Sequence, residues 1–326
     1  MYKTYKEILN DIAIKGFEAA ALDVFQHQFA NNIWYNKWCN AIGRTQPKCL
    51  TEIPFLPVSF FKTKQILSSN APINKVFKSS GTTNTTTTSQ HFVTNTEIYL
   101  DAVNYGFKQQ FGTISNYCVL GLLPSYLQQG NSSLVYMVNH LITKSKHKNS
   151  GFYINNFEQL AYTIKHLITT GQKIWLIGVT YALLDFFEQY PMQLYNTIVL
   201  ETGGMKGRKK EMVRAQIHEK LKKNSGMQFI SGEYGMTELL SHAYLQSNGL
   251  FKPIPTMQLL LRKETDPFEV TENGRGLLNI IDLANINSCS FIAADDYGEV
   301  LKNREFSIFG RIDNSDIRGC SLMYGN

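Results

Sequence analysis

Hydroxyl side chains dominate the stretch from Lys78 to Gln90, KSSGTTNTTTTSQ, which also holds one glycine and no bulky apolar residue. Hydroxyls and backbone N–H groups donate hydrogen bonds to phosphate oxygens, and glycine lets a backbone approach a ligand closely. The stretch lacks the GxxxxGK[ST] pattern of a Walker loop. Two interpretations stay open from these residues alone: a phosphate-binding loop or a solvated flexible loop.

A second segment whose side chains could do chemistry is YGMTE at residues 234–238, which follows an apolar run. Tyr234 could stack on a nucleotide base, and Thr237 could donate to a phosphate. Glu238 could hold Mg²⁺, a hard cation that prefers oxygen ligands. The alternative is a turn at the end of a strand, with Thr237 as the N-cap of a helix.

Polar residues also follow two later β-like runs, in AADDYG (293–298) and GRIDNSDIRG (310–319). Such residues are often only turn or surface residues. The chain has five cysteines, an odd count with no CxxC pair, which argues against a disulfide framework or a zinc site and favours reduced thiols in the cytoplasm. They are Cys39, Cys49, Cys118, Cys289 and Cys320.

Apolar runs alternate with helical periodicity between residues 117 and 235, which predicts an α/β fold with a mostly parallel sheet. Such sheets bind ligands at the carboxyl ends of their strands. The loops TGGMKGR and SGEYGMTE both lie at such ends. A helix is predicted in GRKKEMVRAQIHEKLKK, and its apolar face is expected to contain four residues: Met212, Val213, Ile217 and Leu221.

Helical spacing and dense aromatics mark residues 1–50, which predicts either a packed helical hairpin or the walls of an apolar substrate channel. Short β-like runs after Thr237 predict a β-rich subdomain. We therefore expect three parts: an N-terminal helical segment (1–50) packed on the main body, an α/β core (51–240) and a β-rich subdomain (241–326).

The composition is that of a globular protein, with 326 residues, 43% apolar residues and a formal net charge of +6. This charge suits anionic small molecules or a weakly acidic partner, and no long basic run suggests nucleic acid. No signal peptide is visible, and no run approaches the length that spans a bilayer.

Five segments together resemble the adenylate-forming ligases: FKSSGTT, SYLQQGNSSLVYM, SGEYGMTELLS, DLANINSCSFI and GRIDNSDIRGCSL. Within that superfamily the sequence looks most like the acyl-protein synthetases, the long-chain-fatty-acid–luciferin-component ligases. Phenylacetate–CoA ligase is a more distant relative. The resemblance runs from residue 53 to the last residues and implies the fold of an adenylate-forming N-terminal domain, with the superfamily's mobile C-terminal domain largely absent.

The resemblance also implies which residues bind ATP and Mg²⁺. The phosphate loop would hold the β- and γ-phosphates with Ser79, Ser80, Gly81, Thr82 and Thr83. The adenine would lie against Gly203 and Gly204 and stack on Tyr234, which Gly235 follows. Thr237 would contact the α-phosphate, and Glu238 would hold Mg²⁺. Asp296 would bind the ribose, and Arg311 would contact the ribose and the phosphates.

The implied reaction joins a carboxylic acid, in this family a fatty acid, to AMP with release of pyrophosphate. The acyl group would then pass to an enzyme cysteine near the C-terminus, which matches Cys320, and on to an acceptor such as a reductase or carrier protein. Arg311 and Arg318 could favour the Cys320 thiolate. A buried structural cysteine is the alternative. His242 could act as a base or be structural.

The sequence has no lysine directly after the SGTT core. The resemblance further implies that the C-terminal domain, which carries a second catalytic lysine in most of the superfamily, is largely absent. Lys206, Arg208 and Arg311 are candidates by position to supply that charge. Two other functions therefore stay open. One is a CoA or carrier-protein ligase without a covalent intermediate, and the other is a nucleotide- or acyl-binding protein without catalysis.

Overall fold

The computed structural model describes residues 4–79, 88–124, 130–154, 156–203 and 212–311. Within these ranges the chain forms a mixed α/β architecture around a 13-stranded sheet and a separate two-stranded hairpin. The α-helices are α1 (Tyr5–Lys15), α2 (Phe17–Asn31), α3 (Ile33–Ala41), α4 (Phe60–Thr63), α5 (Thr96–Phe111), α6 (Ser133–Ser145), α7 (Phe157–Thr169), α8 (Thr180–Gln189) and α9 (Arg214–Ser225). The short 3₁₀ helices are η1 (Leu50–Glu52), η2 (Ile114–Asn116) and η3 (Leu283–Asn285).

Fifteen strands are present in the described ranges. They are β1 (Leu56–Pro57), β2 (Lys75–Lys78), β3 (Gln90–Val93), β4 (Tyr117–Leu122), β5 (Gly151–Phe152), β6 (Lys173–Val179), β7 (Thr197–Thr202), β8 (Ser231–Tyr234), β9 (Ala243–Leu245), β10 (Phe251–Pro253), β11 (Met257–Arg262), β12 (Val270–Thr271), β13 (Gly274–Asp282), β14 (Phe291–Val300) and β15 (Phe306–Arg311). The sheet order is β12-β11-β13-β14-β15-β10-β9-β8-β7-β6-β4-β5, with β1 paired to β14.

One half of the large sheet is parallel and contains β5, β4, β6, β7 and β8. Its central strands β4 and β6 are almost wholly buried and read as continuous apolar runs, because helices cover the sheet. The predicted α/β fold is confirmed. The carboxyl ends of β7 and β8 lie side by side, so Thr202 and Tyr234 reach the same edge.

The other half is antiparallel and contains the predicted β-rich residues. Strand β9 pairs antiparallel with β8, so the two halves form one continuous sheet. The strands predicted after Thr237 are confirmed as β11, β13, β14 and β15. The boundaries at residues 50 and 240 stay predictions.

The N-terminal helices pack on this antiparallel half through aromatic rings. Phe25 and Tyr35 are fully buried, and their ring centroids lie 6.4 Å and 5.7 Å from that of Phe291 in β14. The amide of Gln28 donates to the carbonyl of Asn285 at 3.0 Å. For these rings the packed-helix interpretation applies, and α2 and α3 pack against the strand that carries Asp296.

Residues 207–211 of the predicted helix lie outside the described residues, residues 212 and 213 are not helical, and α9 begins at Arg214. Ile217 and Leu221 are buried as expected, but Val213 is 64% exposed. Val213 is the N-cap and has an extended backbone, so its side chain does not follow the helical period. None of the described helices has the length and apolar character that crossing a bilayer requires.

A buried arginine ties three antiparallel strands together. The guanidinium of Arg262 donates to the carbonyls of Leu278 and Ala294 at 2.7 Å and 2.6 Å and to Oδ1 of Asn279 at 2.9 Å. We expect Arg262→Leu to lower the free energy of unfolding by about 2–4 kcal/mol, because three buried acceptors lose their donor. Urea denaturation measures this. The exposed Lys263→Met variant is the control and should cost about 1 kcal/mol or less; equal losses in both variants would contradict the account.

Candidate active site

The predicted phosphate loop is carried by the hairpin of β2 and β3, whose ends are held together. The N–H of Ser79 donates to the carbonyl of Ser89 at 3.0 Å, and the N–H of Ser89 donates to Oγ of Ser79 at 3.0 Å. The loop residues Ser80, Gly81, Thr82 and Thr83 lie outside the described residues. The hairpin therefore fixes where the loop starts and ends.

Glu238 lies beside this stem. Its side chain is buried, with 5% exposed, and it accepts a hydrogen bond from the side chain of Ser89. Burial raises the pKa of Glu238, and the Ser89 hydrogen bond partly opposes that rise. Thr237 occupies a turn rather than the start of a helix, so the N-cap interpretation is wrong. A buried carboxyl therefore stands next to the predicted phosphate loop.

Residues 237–241 have no regular structure, and buried side chains from elsewhere hold their backbone. Nδ1 of His91 donates to the carbonyl of Thr237 at 2.9 Å, and Nδ2 of Asn285 donates to the carbonyl of Glu238 at 2.7 Å. The carboxyl of Asp282 accepts from the N–H groups of residues 240 and 241 at 2.8 Å and 2.9 Å. We call these three side chains the backbone clamp.

The sequence interpretation missed the backbone clamp. Asp282 and Asn285 belong to the segment DLANINSCSFI, which carried part of the resemblance but received no role. His91 had no signal in the sequence. Its partner is 146 residues away along the chain, and only the folded structure joins them.

Three predicted nucleotide-binding residues meet at the end of β8. The hydroxyl of Tyr234 donates to Oδ2 of Asp296 at 2.9 Å, and Nε of Arg311 lies 3.4 Å from Oδ1. Asp296 and Arg311 are directly paired across β14 and β15. The Tyr234 ring is 8% exposed and packs edge-on against Phe306 at 5.4 Å. The structure thus brings these residues together, and stacking of Tyr234 on adenine stays a prediction.

The predicted adenine turn begins at the end of β7. Gly203 has φ +78°, a conformation that L side chains rarely adopt, so glycine is required there. Gly204, Lys206 and Arg208 lie outside the described residues. Gly235 follows β8 and is exposed. The described end of the turn is therefore at the sheet edge where Tyr234 also lies.

The His242 imidazole is buried in the core. It is 2% exposed, and burial lowers its pKa to about 4. A Cβ on Gly106 of α5 would come within 2.6 Å of its Nε2, and its ring packs edge-on against Tyr244 at 5.0 Å. At neutral pH this is an uncharged imidazole under α5. Its role as a base stays a prediction.

The described cysteines differ in reactivity. Burial raises the pKa of Cys39 to about 12 and of Cys118 to about 11, and it also raises the pKa of Cys289. Cys49 is half-buried, and its Sγ lies 3.3 Å from Oγ1 of Thr51. Cys320 lies outside the described residues. Three of the four described thiols therefore make poor nucleophiles at neutral pH.

A further carboxyl, Glu233, lies next to Tyr234 and was not predicted. Oγ1 of Thr202 donates to it at 2.8 Å. Burial raises the pKa of Glu233 to about 7, and the charge of Glu201 adds to the rise. The only sequence signal was its place within SGEYG. The carboxyl is therefore partly protonated at neutral pH in the folded protein.

The raised pKa of Glu233 predicts a pH-dependent stability. From pH 4.5 to pH 7 the unfolded chain loses a proton that the folded chain keeps, so folding loses about 3 kcal/mol across that window and does not regain it above pH 7. The variant Glu233→Gln cannot titrate there and keeps an acceptor for Thr202. We expect its advantage in unfolding free energy over the wild type to grow from pH 5 to pH 8.

Urea denaturation at both pH values measures this difference. The exposed Glu219→Gln variant on α9 is the control for the loss of one carboxylate. An advantage of Glu233→Gln that is constant with pH, or that shrinks as the pH rises, would contradict the raised pKa.

Comparison with known proteins gives a family and a fold. A family model described as "Acyl-protein synthetase, LuxE" matches residues 7–326. A search of curated proteins found no match. Similar solved structures include 2-hydroxyisobutyryl-CoA ligase in the postadenylation state with R3-HIB-AMP, at 12% identity and TM-score 0.61, covering 93% of this chain and 69% of that chain.

Two further structures match about three quarters of this chain. ATP-bound MatB from Rhodopseudomonas palustris has 14% identity and TM-score 0.55, covering 74% of this chain and 49% of that one. O-succinylbenzoate coenzyme A synthetase (MenE) from Bacillus subtilis, with AMP, has 15% identity and TM-score 0.52, covering 76% and 51%. This chain thus spans about half the length of these two structures, and at these identities the likeness establishes the fold.

Proposed function

This chain belongs to the LuxE family of acyl-protein synthetases, and from that membership we propose that it activates a carboxylic acid with ATP. The acid's carboxylate attacks the α-phosphorus, forming an acyl-AMP and releasing pyrophosphate. A fatty acid is the substrate class that the family suggests. The acyl group then passes through an enzyme thioester to an acceptor, such as a reductase or carrier protein.

The observation that carries the proposal is the position of Glu238 beside the Ser79–Ser89 stem. A buried carboxyl next to a hydroxyl-rich loop suits a Mg²⁺ ion that is shared with phosphate oxygens. Among the described residues Glu238 makes no ion pair with a lysine or arginine, and no cluster of three metal-ligating side chains competes for the ion. Glu238 would therefore hold Mg²⁺, which when bound neutralises charge on the phosphates.

The environment of Asp296 supports the proposal that this site binds the nucleoside part of ATP. Its carboxyl already accepts hydrogen bonds from Tyr234 and Arg311, and both partners fix its orientation. A carboxylate held this way is suited to accept hydrogen bonds from ribose hydroxyls. Arg311, whose side chain is 56% exposed, can also turn toward phosphate oxygens. The similar solved structures contain ATP, AMP or an acyl-AMP, which supports the proposal that this chain binds a nucleotide.

Acyl transfer through Cys320 is supported by the properties of the four described cysteines, which fit the role of acyl carrier poorly. Cys39, Cys118 and Cys289 are buried with raised pKa values, and half-buried Cys49 directly precedes η1, which packs on α2 and β12. Those elements do not carry Glu238 or Asp296. The Cys320 thiolate would attack the acyl carbonyl of the acyl-AMP, forming a C–S bond while AMP leaves.

ATP–pyrophosphate exchange tests the proposal. Purified protein is assayed with short, medium and long fatty acids and with an aryl acid, at fixed Mg²⁺. Exchange that depends on one class of acid supports adenylation and sizes the acyl pocket. Nucleotide binding without exchange for any acid would instead favour a binding protein.

A further inference from the structure

A small cavity lies behind the backbone clamp, between β3, the start of α5 and the loop around η3. Its lining includes His91, Thr94, Asn285 and Ser288. The space open to the centre of a water molecule is about 10 Å³, which is room for one water molecule. The four residues come from two segments that are distant in sequence, 91–94 and 285–288, so whatever fills the cavity connects these two segments.

Each of these four residues has a buried polar atom that lacks a hydrogen-bond partner among the described residues. The atoms are Nε2 of His91, Oγ1 of Thr94, Oδ1 of Asn285 and Oγ of Ser288. The residues are between 0% and 7% exposed. Buried polar atoms are nearly always paired, and four unpaired polar atoms on residues that line one small cavity point to a partner that they share.

The donor and acceptor roles of these atoms can be assigned. His91 donates through Nδ1–H to the Thr237 carbonyl, and burial lowers the pKa of its ring to about 4. The ring is therefore neutral at pH 7, and Nε2 presents a lone pair. Asn285 donates through Nδ2 to the Glu238 carbonyl, so its Oδ1 is the free acceptor. The hydroxyls of Thr94 and Ser288 can donate.

We propose that one ordered water molecule fills this cavity, donating to His91 and Asn285 and accepting from Thr94 and Ser288. Two acceptors and two hydroxyl donors match the hydrogen-bonding capacity of one water molecule. A hard cation would take about six or more oxygen ligands, which this cavity does not offer. The water orients the two clamp side chains that hold Thr237 and Glu238, so His91 and Asn285 are positioning residues.

A high-resolution crystal structure of the full chain tests the water site without any activity measurement. We expect one solvent peak about 3 Å from all four atoms. An empty cavity, a bound metal ion, or direct hydrogen bonds among the four side chains would overturn the proposal.

Hydrogen–deuterium exchange of the peptide spanning residues 234–241 tests the connection to the clamp. Thr94→Val removes a hydroxyl at nearly constant volume and should speed amide exchange at 237–241. Thr163→Val, at a buried position in α7, is the matched control. Exchange at 237–241 that is the same in both variants would refute the coupling.

Two substitutions at His91 distinguish its hydrogen bond to the Thr237 carbonyl through Nδ1 from its proposed hydrogen bond to the water through Nε2. In His91→Asn the amide can replace Nδ1 and keep the donor to Thr237, whereas in His91→Gln it can replace Nε2 and loses that donor. The test of these two variants rests on the proposed function. We expect kcat of ATP–pyrophosphate exchange to fall about 10- to 100-fold in His91→Gln and to be largely rescued in His91→Asn. The KM of the acid should stay unchanged in both variants. Equal kcat values in the two variants would refute the positioning role. A wild type without exchange would instead refute the proposed function, while the crystal structure and amide exchange still decide the water site.

Discussion

Glu238→Gln is expected to reduce ATP–pyrophosphate exchange about a hundredfold or more. The substitution keeps the size of the side chain and an acceptor for Ser89, but it removes the negative charge that would hold Mg²⁺ beside the phosphates. Exchange is measured against Mg²⁺ concentration, and the half-maximal Mg²⁺ requirement should rise. The exposed Glu158→Gln variant on α7 is the control.

The effect of Glu238→Gln on folding can be distinguished from its effect on catalysis. Because burial raises the pKa of Glu238, its ionised form costs folding free energy, and a neutral glutamine should leave the protein at least as stable. Loss of exchange in a variant that unfolds at the wild-type urea concentration would therefore report lost Mg²⁺ binding. A variant with normal exchange and an unchanged Mg²⁺ requirement would refute the metal role.

Cys320→Ser is expected to keep adenylation and abolish acyl transfer. Exchange should stay within about twofold of wild type, whereas a covalent acyl-enzyme should be lost, because a serine hydroxyl is a far weaker nucleophile than a thiolate at neutral pH. Intact-mass measurement after incubation with acid and ATP should show one acyl adduct in the wild type and none in the variant.

Cys49→Ser is the matched control, since Cys49 is the half-buried cysteine among those described. It should keep the acyl adduct, and hydroxylamine should remove that adduct, as expected for a thioester. A Cys320→Ser protein that still acylates CoA or a carrier at the wild-type rate would identify a ligase without a covalent intermediate.

The sequence predicted the parallel half of the fold well, because its signals are local. Among the apolar runs that predicted the α/β fold, KIWLIGV at residues 173–179 forms β6 over its whole length. Such strands are covered on both faces, so their apolar runs are continuous and easily read. The later strands were equally clear. The pairing of β8 with β9, which joins both halves, has no local signal.

The site residues that belong to sequence motifs were predictable, whereas those that act through contacts with distant parts of the chain were not. The resemblance assigned Tyr234, Asp296 and Arg311, and the structure brings them together. The cap expected at Thr237 is wrong, because no helix follows; the backbone clamp holds that segment instead. Side chains such as His91 act on residues distant in sequence, and no spacing rule in one chain indicates them.

The most direct test of the account follows the oxygen of the acid. Carboxylate labelled with ¹⁸O is incubated with ATP, Mg²⁺ and the protein, and the nucleotide and phosphate products are analysed by mass spectrometry. If the carboxylate attacks the α-phosphorus and the acyl group then leaves by cleavage of its C–O bond, one ¹⁸O must appear in AMP. Label in inorganic phosphate with ADP as the product, or hydrolysis of ATP with no label in AMP, would contradict acyl-adenylate formation.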